Sequence, residues 1–456
     1  MYDLHNAERK QKVGNGGDRS MNLNIVLVGS NPLPCYIGAA YVLQKERELA
    51  DDEEKYLPVP EHILFVVTKE TEEFAENIQK LIMKHQKNGE FFECAMSFCS
   101  LENGRDAHII ESRLEEKLNG ILAEKEYHHI VLNDTGGTKM MTVHAALLCR
   151  SYAKEHSVRA VECYVDPDEN RLRCLCFNDG NMELYPKTGM RLLQDQIRMS
   201  VEELIRLHYG NEAVIKDRND EVDEEDFEEN IRELCGTDQI SFIRISERIL
   251  NEFEIYKEFY RIWNRKGEPA NKRKALGNKN AIVELFNCID GTSLLTNSEV
   301  DDDIFTFWGR GEWLELYFYL ALRQVKQKLG AEGKHFELVW SCKVWKKKGN
   351  KEFEVDIVTV RGFLLTLYSL TMAEAGETGL AKGKWFEAVY RTDQMGGGHG
   401  KTELVCLLSS EADVYGLQRL IEDLKRSETD RSIEIKTIES LKSYKKLTDS
   451  LMNSIQ

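Results

Sequence analysis

His129-Ile130-Val131-Leu132-Asn133-Asp134-Thr135-Gly136-Gly137-Thr138-Lys139 runs from an apolar tetrapeptide through two glycines to a cation. The apolar part predicts a short buried strand, and the residues from the Gly-Gly turn to about Lys154 have helical spacing. The same alternation recurs on both sides. Asn24-Ile25-Val26-Leu27-Val28 predicts a first buried strand, with helical spacing at 35–49. Ile63 to Val67 predicts a second, followed by a helix around 71–86, a third strand near Phe91–Phe98 and a helix at 106–122. Strands near Val158–Val165 and Leu172–Phe177 are joined by the turn-rich Asp166-Pro167-Asp168-Glu169-Asn170. Strands alternating with helices predict an open, mostly parallel, Rossmann-like α/β sheet. Ligands of such sheets bind at the carboxyl ends of the strands.

Two loops at that edge carry ligand-binding chemistry. Gly136 and Gly137 let the backbone approach a ligand, and the following helix start has free N–H donors. Lys139 adds positive charge, and Thr135 and Thr138 add hydroxyls. The set suits a phosphodiester or nucleotide; the plainer reading is a strand-to-helix turn with a satisfied cap. The spacing is not that of a Walker A loop. After the first strand, Gly29-Ser30-Asn31-Pro32-Leu33-Pro34 is stiffened by two prolines and presents Ser30 and Asn31. Thr68 and Thr71 close the second strand toward the same cleft. Asn31 and Thr68 read equally as helix caps.

The pairing of Val28-Gly29-Ser30-Asn31-Pro32-Leu33-Pro34 with Asn133-Asp134-Thr135-Gly136-Gly137-Thr138-Lys139-Met140 resembles the CRISPR-associated Rossmann fold (CARF) family, over about residues 21–187. The resemblance implies a homodimer that binds a cyclic oligoadenylate, most often cyclic tetra-adenylate, across its two-fold axis. It also implies that type III CRISPR complexes make this messenger. Each subunit would offer Gly29, Ser30, Asn31, Thr68, Thr135, Gly136, Gly137, Thr138 and Lys139 to one half of the ring.

The 456 residues, 42% hydrophobic and 30% charged, suffice for two or three globular domains. Residues 1–20 read as a disordered tail without an apolar signal segment, and no apolar run is long enough to span a bilayer. Eleven cysteines without Cys-x-x-Cys or zinc spacing read as reduced thiols of a cytoplasmic protein. The net charge of −17 argues against polyanion binding over the whole surface. Two local basic stretches stand against it, Arg261–Lys279 and Lys343–Lys351, either of which could contact phosphates. Residues 188–304 are expected to be a mainly helical connector, interrupted by the acidic run Asp217–Glu229, with 261–280 as a loop.

Residues 305–456 are expected to form a second α/β domain of helix, three strands, helix, strand and helix. Gly309-Arg310-Gly311-Glu312-Trp313-Leu314-Glu315 followed by the strand Glu354-Val355-Asp356-Ile357-Val358 resembles the restriction-endonuclease-like PD-(D/E)xK nucleases attached to some CARF proteins. That resemblance implies Mg²⁺ or Mn²⁺ on Asp356, a helix carboxylate at Glu315, and ligand-activated cleavage of single-stranded RNA or DNA. Glu354 shares a strand face with Asp356 and is the candidate second metal carboxylate, the plainer reading being a solvent-exposed acidic face. The family's Glu-x-Lys falls at Ser369-Leu370-Thr371, where both charged groups are missing. Lys384 is the candidate relocated lysine. The alternative is a non-catalytic effector that binds a partner or nucleic acid through a degenerate nuclease fold. Met395-Gly396-Gly397-Gly398-His399-Gly400-Lys401-Thr402 nearly spells a P-loop, but its order, helix then strand, is reversed.

Overall fold

The computed structural model describes residues 21–46, 57–124, 126–166, 169–178, 181–184, 192–210, 213–216, 227–287, 302–346, 351–372, 378–397, 400–407, 419, 422 and 434–455. The expected tail 1–20, most of the acidic run and most of the helix expected at 412–425 lie outside these residues. The chain divides into two compact units, Met1–Leu193 and Gln194–Gln456. Among the described residues no helix is long and apolar enough to cross a membrane.

The first unit is a seven-stranded sheet in the order β3-β2-β1-β4-β5-β6-β7. Its strands are β1 (Met21–Leu27), β2 (His62–Thr68), β3 (Ala95–Leu101), β4 (Tyr127–Asn133), β5 (Arg159–Asp166), β6 (Arg171–Asn178) and β7 (Asn181–Leu184). The first five are mutually parallel, and β6 and β7 are antiparallel additions. The helices are α1 (Pro32–Leu43), α2 (Glu72–Lys87), α3 (Ala107–Glu124) and α4 (Lys139–His156). Leu23, Ile25 and Leu27 of β1 share a core with Ile110, Leu114 and Leu118 of α3 and Met141, Ala145 and Cys149 of α4. Helix α1 is buried along its whole length, so it reads as apolar all round rather than amphipathic. Its prolines occupy the first turn, where backbone N–H groups have no intrahelical acceptor to lose. The chain leaves β1 toward β2 on one side and β4 toward β5 on the other. Strands β1 and β4 are therefore neighbours whose crossovers diverge, the switch point where open sheets form a crevice.

The second unit contains the six-stranded sheet β13-β12-β11-β10-β9-β8. Helices α5 (Val201–Tyr209), α6 (Phe227–Cys235), α7 (Gln239–Asn251), α8 (Phe253–Trp263), α9 (Pro269–Gly277), α10 (Asn280–Phe286), α11 (Asp302–Arg310) and α12 (Glu312–Ala331) precede most of it. β8 (Ala213–Lys216) lies early in sequence and joins the sheet edge beside β9 (Phe336–Lys346). β10 (Lys351–Arg361), β11 (Leu364–Thr371), α13 (Thr378–Gly396), β12 (Lys401–Cys406), β13 (Glu434–Lys436), α14 (Ile438–Leu441) and α15 (Tyr444–Ile455) complete it.

One apolar core holds α6–α12 and one sheet face together. Within it Tyr256 Oη donates to Trp308 O at 2.7 Å, Trp313 Nε1 donates to Tyr256 Oη at 2.8 Å, and Trp308 Nε1 donates to Cys235 O at 2.9 Å. The helices expected of a connector thus share their core with the C-terminal sheet. The loop expected at 261–280 is a correction: α8 extends to Trp263, and α9 starts at Pro269 in the N1 position that favours proline.

Candidate functional site

In the first unit the loops after β1 and β4 meet backbone to backbone. A Cβ on Gly136 would lie 2.5 Å from Cys35 Sγ, 2.8 Å from Gly29 N and closer still to Leu27 O, so only glycine permits the approach. Gly137 has φ +79, the left-handed conformation that glycine adopts without strain. Asn133, fully buried at the end of β4, organises the junction. Its Oδ1 accepts from Thr135 Oγ1 at 2.7 Å and Thr135 N at 3.2 Å, while its Nδ2 donates to Cys35 O on α1 at 3.4 Å. Thr135 Oγ1 also accepts from Val165 N at 2.9 Å, tying the loop to β5.

The other hydroxyls and amides have structural duties too. Asn31 caps α1, accepting from Leu33 N at 3.2 Å. Thr138 caps α4, accepting from Met141 N at 3.2 Å, and donates to Gly104 O. Thr68 N donates to Thr71 Oγ1 at 3.0 Å, so Thr68 is not itself a cap. Ser30 and Lys139 are exposed at this edge, and Lys139 has no ion-pair partner among the described residues. Asp134 is half-buried beside Glu162. Burial, reinforced by that neighbouring carboxylate, pushes its carboxyl up to about 6. Glu162 is itself gripped by Arg150 in two bonds of 2.9 and 3.0 Å.

From Lys139 onward α4 shows an apolar stripe to solvent. Met140, Val143 and Leu147 are 38%, 51% and 52% exposed at helical spacing. His144 of the same helix bonds Glu111 Oε1 of α3 through Nδ1 at 2.7 Å.

In the second unit the feature of interest is a place where strands part. The β10–β11 ladder pairs Arg361↔Leu364 through Ile357↔Tyr368 and stops there. Two residues beyond Tyr368, Leu370 N donates to Asp356 Oδ2 at 2.7 Å, a side chain taking the donor that a strand would use. On the other flank Ser341 has φ +53, a left-handed conformation uncommon for serine, and its Oγ donates to Glu354 Oε1 at 2.8 Å. Burial pushes the Asp356 carboxyl above its usual range. The Leu370 N–H and the Lys384 charge oppose the shift, and Glu354 and Glu387 add to it.

Asp356, Glu354 and Lys384 therefore belong to one electrostatic neighbourhood. Glu315 accepts from Trp340 Nε1 at 3.3 Å, and Trp340 pairs with Ile357, on the strand face opposite Asp356. Lys343 stands 3.9 Å from Glu354. A hard cation needs several oxygen ligands. Both carboxylates here already have protein partners, and among the described residues no three His, Cys, Asp or Glu side chains could hold a metal together. Asp356 and Glu354 offer two carboxylates, so a Mg²⁺ or Mn²⁺ ion held here would draw the rest of its shell from water and substrate.

Residues 51–187 match the family model for the Card1 CARF domain. The first unit carries a CARF domain of Rossmann-like type. No curated protein matches the sequence. Among solved structures, protein VC1899 from Vibrio cholerae aligns over 95% of this chain and 99% of its own, at 14% identity and TM-score 0.62. Can2 from Sulfobacillus thermosulfidooxidans, solved in complex with cyclic tetra-adenylate, aligns over 95% and 97%, at 14% identity and TM-score 0.53. At these identities the likeness is one of fold.

In the CARF domain the structure brings Gly29, Gly136 and Gly137 into contact and sets Ser30, Asn31, Thr135, Thr138 and Lys139 around them. Thr68 reaches the same edge, because a Cβ on Gly104 would lie 2.7 Å from Thr68 Cγ2 and Gly104 O takes the Thr138 hydroxyl. Sequence reasoning placed Asn133 and Asp134 in the loop motif but gave neither a role of its own. The available signal was Asn133 ending an apolar strand two residues before a threonine, a spacing that favours a side-chain turn.

Proposed function

We propose that the protein is a cyclic-oligoadenylate-responsive effector of type III CRISPR defence, with the CARF domain as sensor and the second unit as a nuclease-like output. The observation that carries it is the paired glycine loop at the β1/β4 switch point with the Lys139 cation beside it. Backbone N–H groups at a helix start and an ammonium together recognise phosphodiesters. Cyclic tetra-adenylate is the proposed ring, supported by the Card1 CARF match and by the ligand named for Can2. A homodimer is supported by the exposed Met140, Val143 and Leu147 stripe running from the loop. Two copies meeting there would give a symmetric ring two equal half-sites. Gating requires the ring to bind the active arrangement better than the resting one.

For the output we propose action on single-stranded RNA or DNA. In the cutting form of this reading Asp356 and Glu354 face the strand and Lys384 supplies positive charge, with Mn²⁺ or Mg²⁺ entering alongside substrate. A second reading, binding without cutting, is favoured by the Leu370 bond to Asp356 and by Ser369 and Thr371 standing where the nucleases carry Glu and Lys. Incubating labelled RNA and single-stranded DNA with the protein, cyclic tetra-adenylate and Mn²⁺ separates the two. Cleavage that disappears in Asp356→Ala supports the cutting form. Absence of cleavage, or cleavage that survives that substitution, supports the other.

A further inference from the structure

The basic stretch 261–279 folds into a hollow between α8, α9 and the start of α10, with a volume of about 560 Å³. Lys257, Arg261, Arg265, Lys266, Lys272 and Lys279 line it, against two carboxylates, Glu254 and Glu258. Lys257 pairs with Glu254 at 3.0 Å and Lys279 with Glu258 at 2.7 Å, and six cations face these two carboxylates. Positive charge is left in excess, in a chain whose net charge is −17. Arg265 and Lys266 are exposed and have no ion-pair partner among the described residues. Lys272 lies over the buried Trp263 ring at 5.1 Å, so the indole supports a cation and is not open to a base.

A concave cluster of cations, isolated on an acidic protein, concentrates a polyanion at one place. We propose that this hollow holds the phosphate backbone of a single-stranded nucleic acid. It is lined by ammonium and guanidinium groups with no exposed aromatic, which suits backbone contact rather than base readout. A pocket receives a flexible strand more readily than a stiff duplex. The inference rests on the reading of the second unit as acting on nucleic acid, but it concerns holding the strand and not cutting it.

The test is fluorescence anisotropy of short labelled oligouridine and oligodeoxythymidine with the full-length protein, without added divalent metal, over a range of salt. Replacing Arg261, Arg265 and Lys266 together by Glu should weaken binding tenfold or more. It should also make the slope of log K against log salt shallower by about two, near 0.7 for each lost contact. Both strands should respond alike. Unchanged affinity and slope, a loss confined to one sugar, or equal competition by polyglutamate would overturn the proposal. If the triple variant does not fold, the milder Arg265→Gln with Lys266→Gln, both at exposed positions, carries the same prediction with a slope change of about one. Metal-free binding makes the outcome independent of Asp356. Normal strand binding with no cleavage would count against the cutting form alone.

Discussion

The two candidate sites are built in opposite ways. In the CARF domain two loops close on one another until backbone touches backbone at Gly29 and Gly136. In the second unit the β10–β11 ladder stops beside Asp356, whose carboxylate takes the Leu370 N–H, while Ser341 on the neighbouring β9 leaves the extended conformation. The first arrangement depends on the absence of side chains, and so tolerates almost no change. The second depends on one half-buried carboxylate, whose partial loss of water costs stability when it is ionised. Close approach gives a rigid edge on which a ligand can rest. An interrupted ladder leaves polar groups that a partner or substrate can reach.

The sharpest way to break this contrast is Gly136→Val. Its side chain would meet Leu27 O, Cys35 Sγ and Gly29 N, none of which is the free end of a flexible chain. We expect a loss of about 3 kcal/mol or more in thermal or denaturant unfolding, together with loss of ligand binding. A variant that melts like the parent would show that the loops are not locked.

Next in size is Asp134→Asn. The carboxyl titrates at about 6 in the folded protein against 3.8 when free, so between these values the folded state holds the extra proton. Stability from this group is fully present below 3.8, falls as pH rises through that window, and is lost above about 6. The ionised group then costs up to about 3 kcal/mol. Asparagine should therefore raise the melting temperature at neutral pH and leave it unchanged in acid. An increase that is equally large in acid would mean that charge is not the cause.

Asp356→Asn sharpens the other half of the comparison, with a smaller effect. Its amide oxygen can still accept from Leu370 N, while the half-buried charge is gone. Stability should rise by about 1 kcal/mol at neutral pH, as substitutions at functional carboxylates often do. A fall would make Asp356 a structural acceptor.

Most of the first unit is legible in the sequence because its buried strands are short apolar runs and its turns carry glycine, proline and asparagine. The third strand is the exception there: expected near Phe91–Phe98, it lies at Ala95–Leu101, mixed in character and only partly buried. The second unit hides more. β8 is four residues long, and its pairing with β9 spans over a hundred residues, beyond any local pattern. α9 has the composition of a basic loop and buries only Leu276, so apolar periodicity is silent and Pro269 is the remaining signal. The charge of Lys384 near Asp356 and the conformation of Ser341 are products of tertiary packing. The sequence does show the missing Glu-x-Lys at Ser369–Thr371, and that register places Ser369 beside Tyr368 where the β10–β11 ladder stops.

Calorimetric titration of cyclic tetra-adenylate into the unaltered protein and into Lys139→Ala tests the account most directly. Loss of an ammonium bond to a phosphate should weaken binding by at least tenfold, about 1.5 kcal/mol or more. An unaltered affinity in the variant, or no heat from any cyclic oligoadenylate with the unaltered protein, would contradict it.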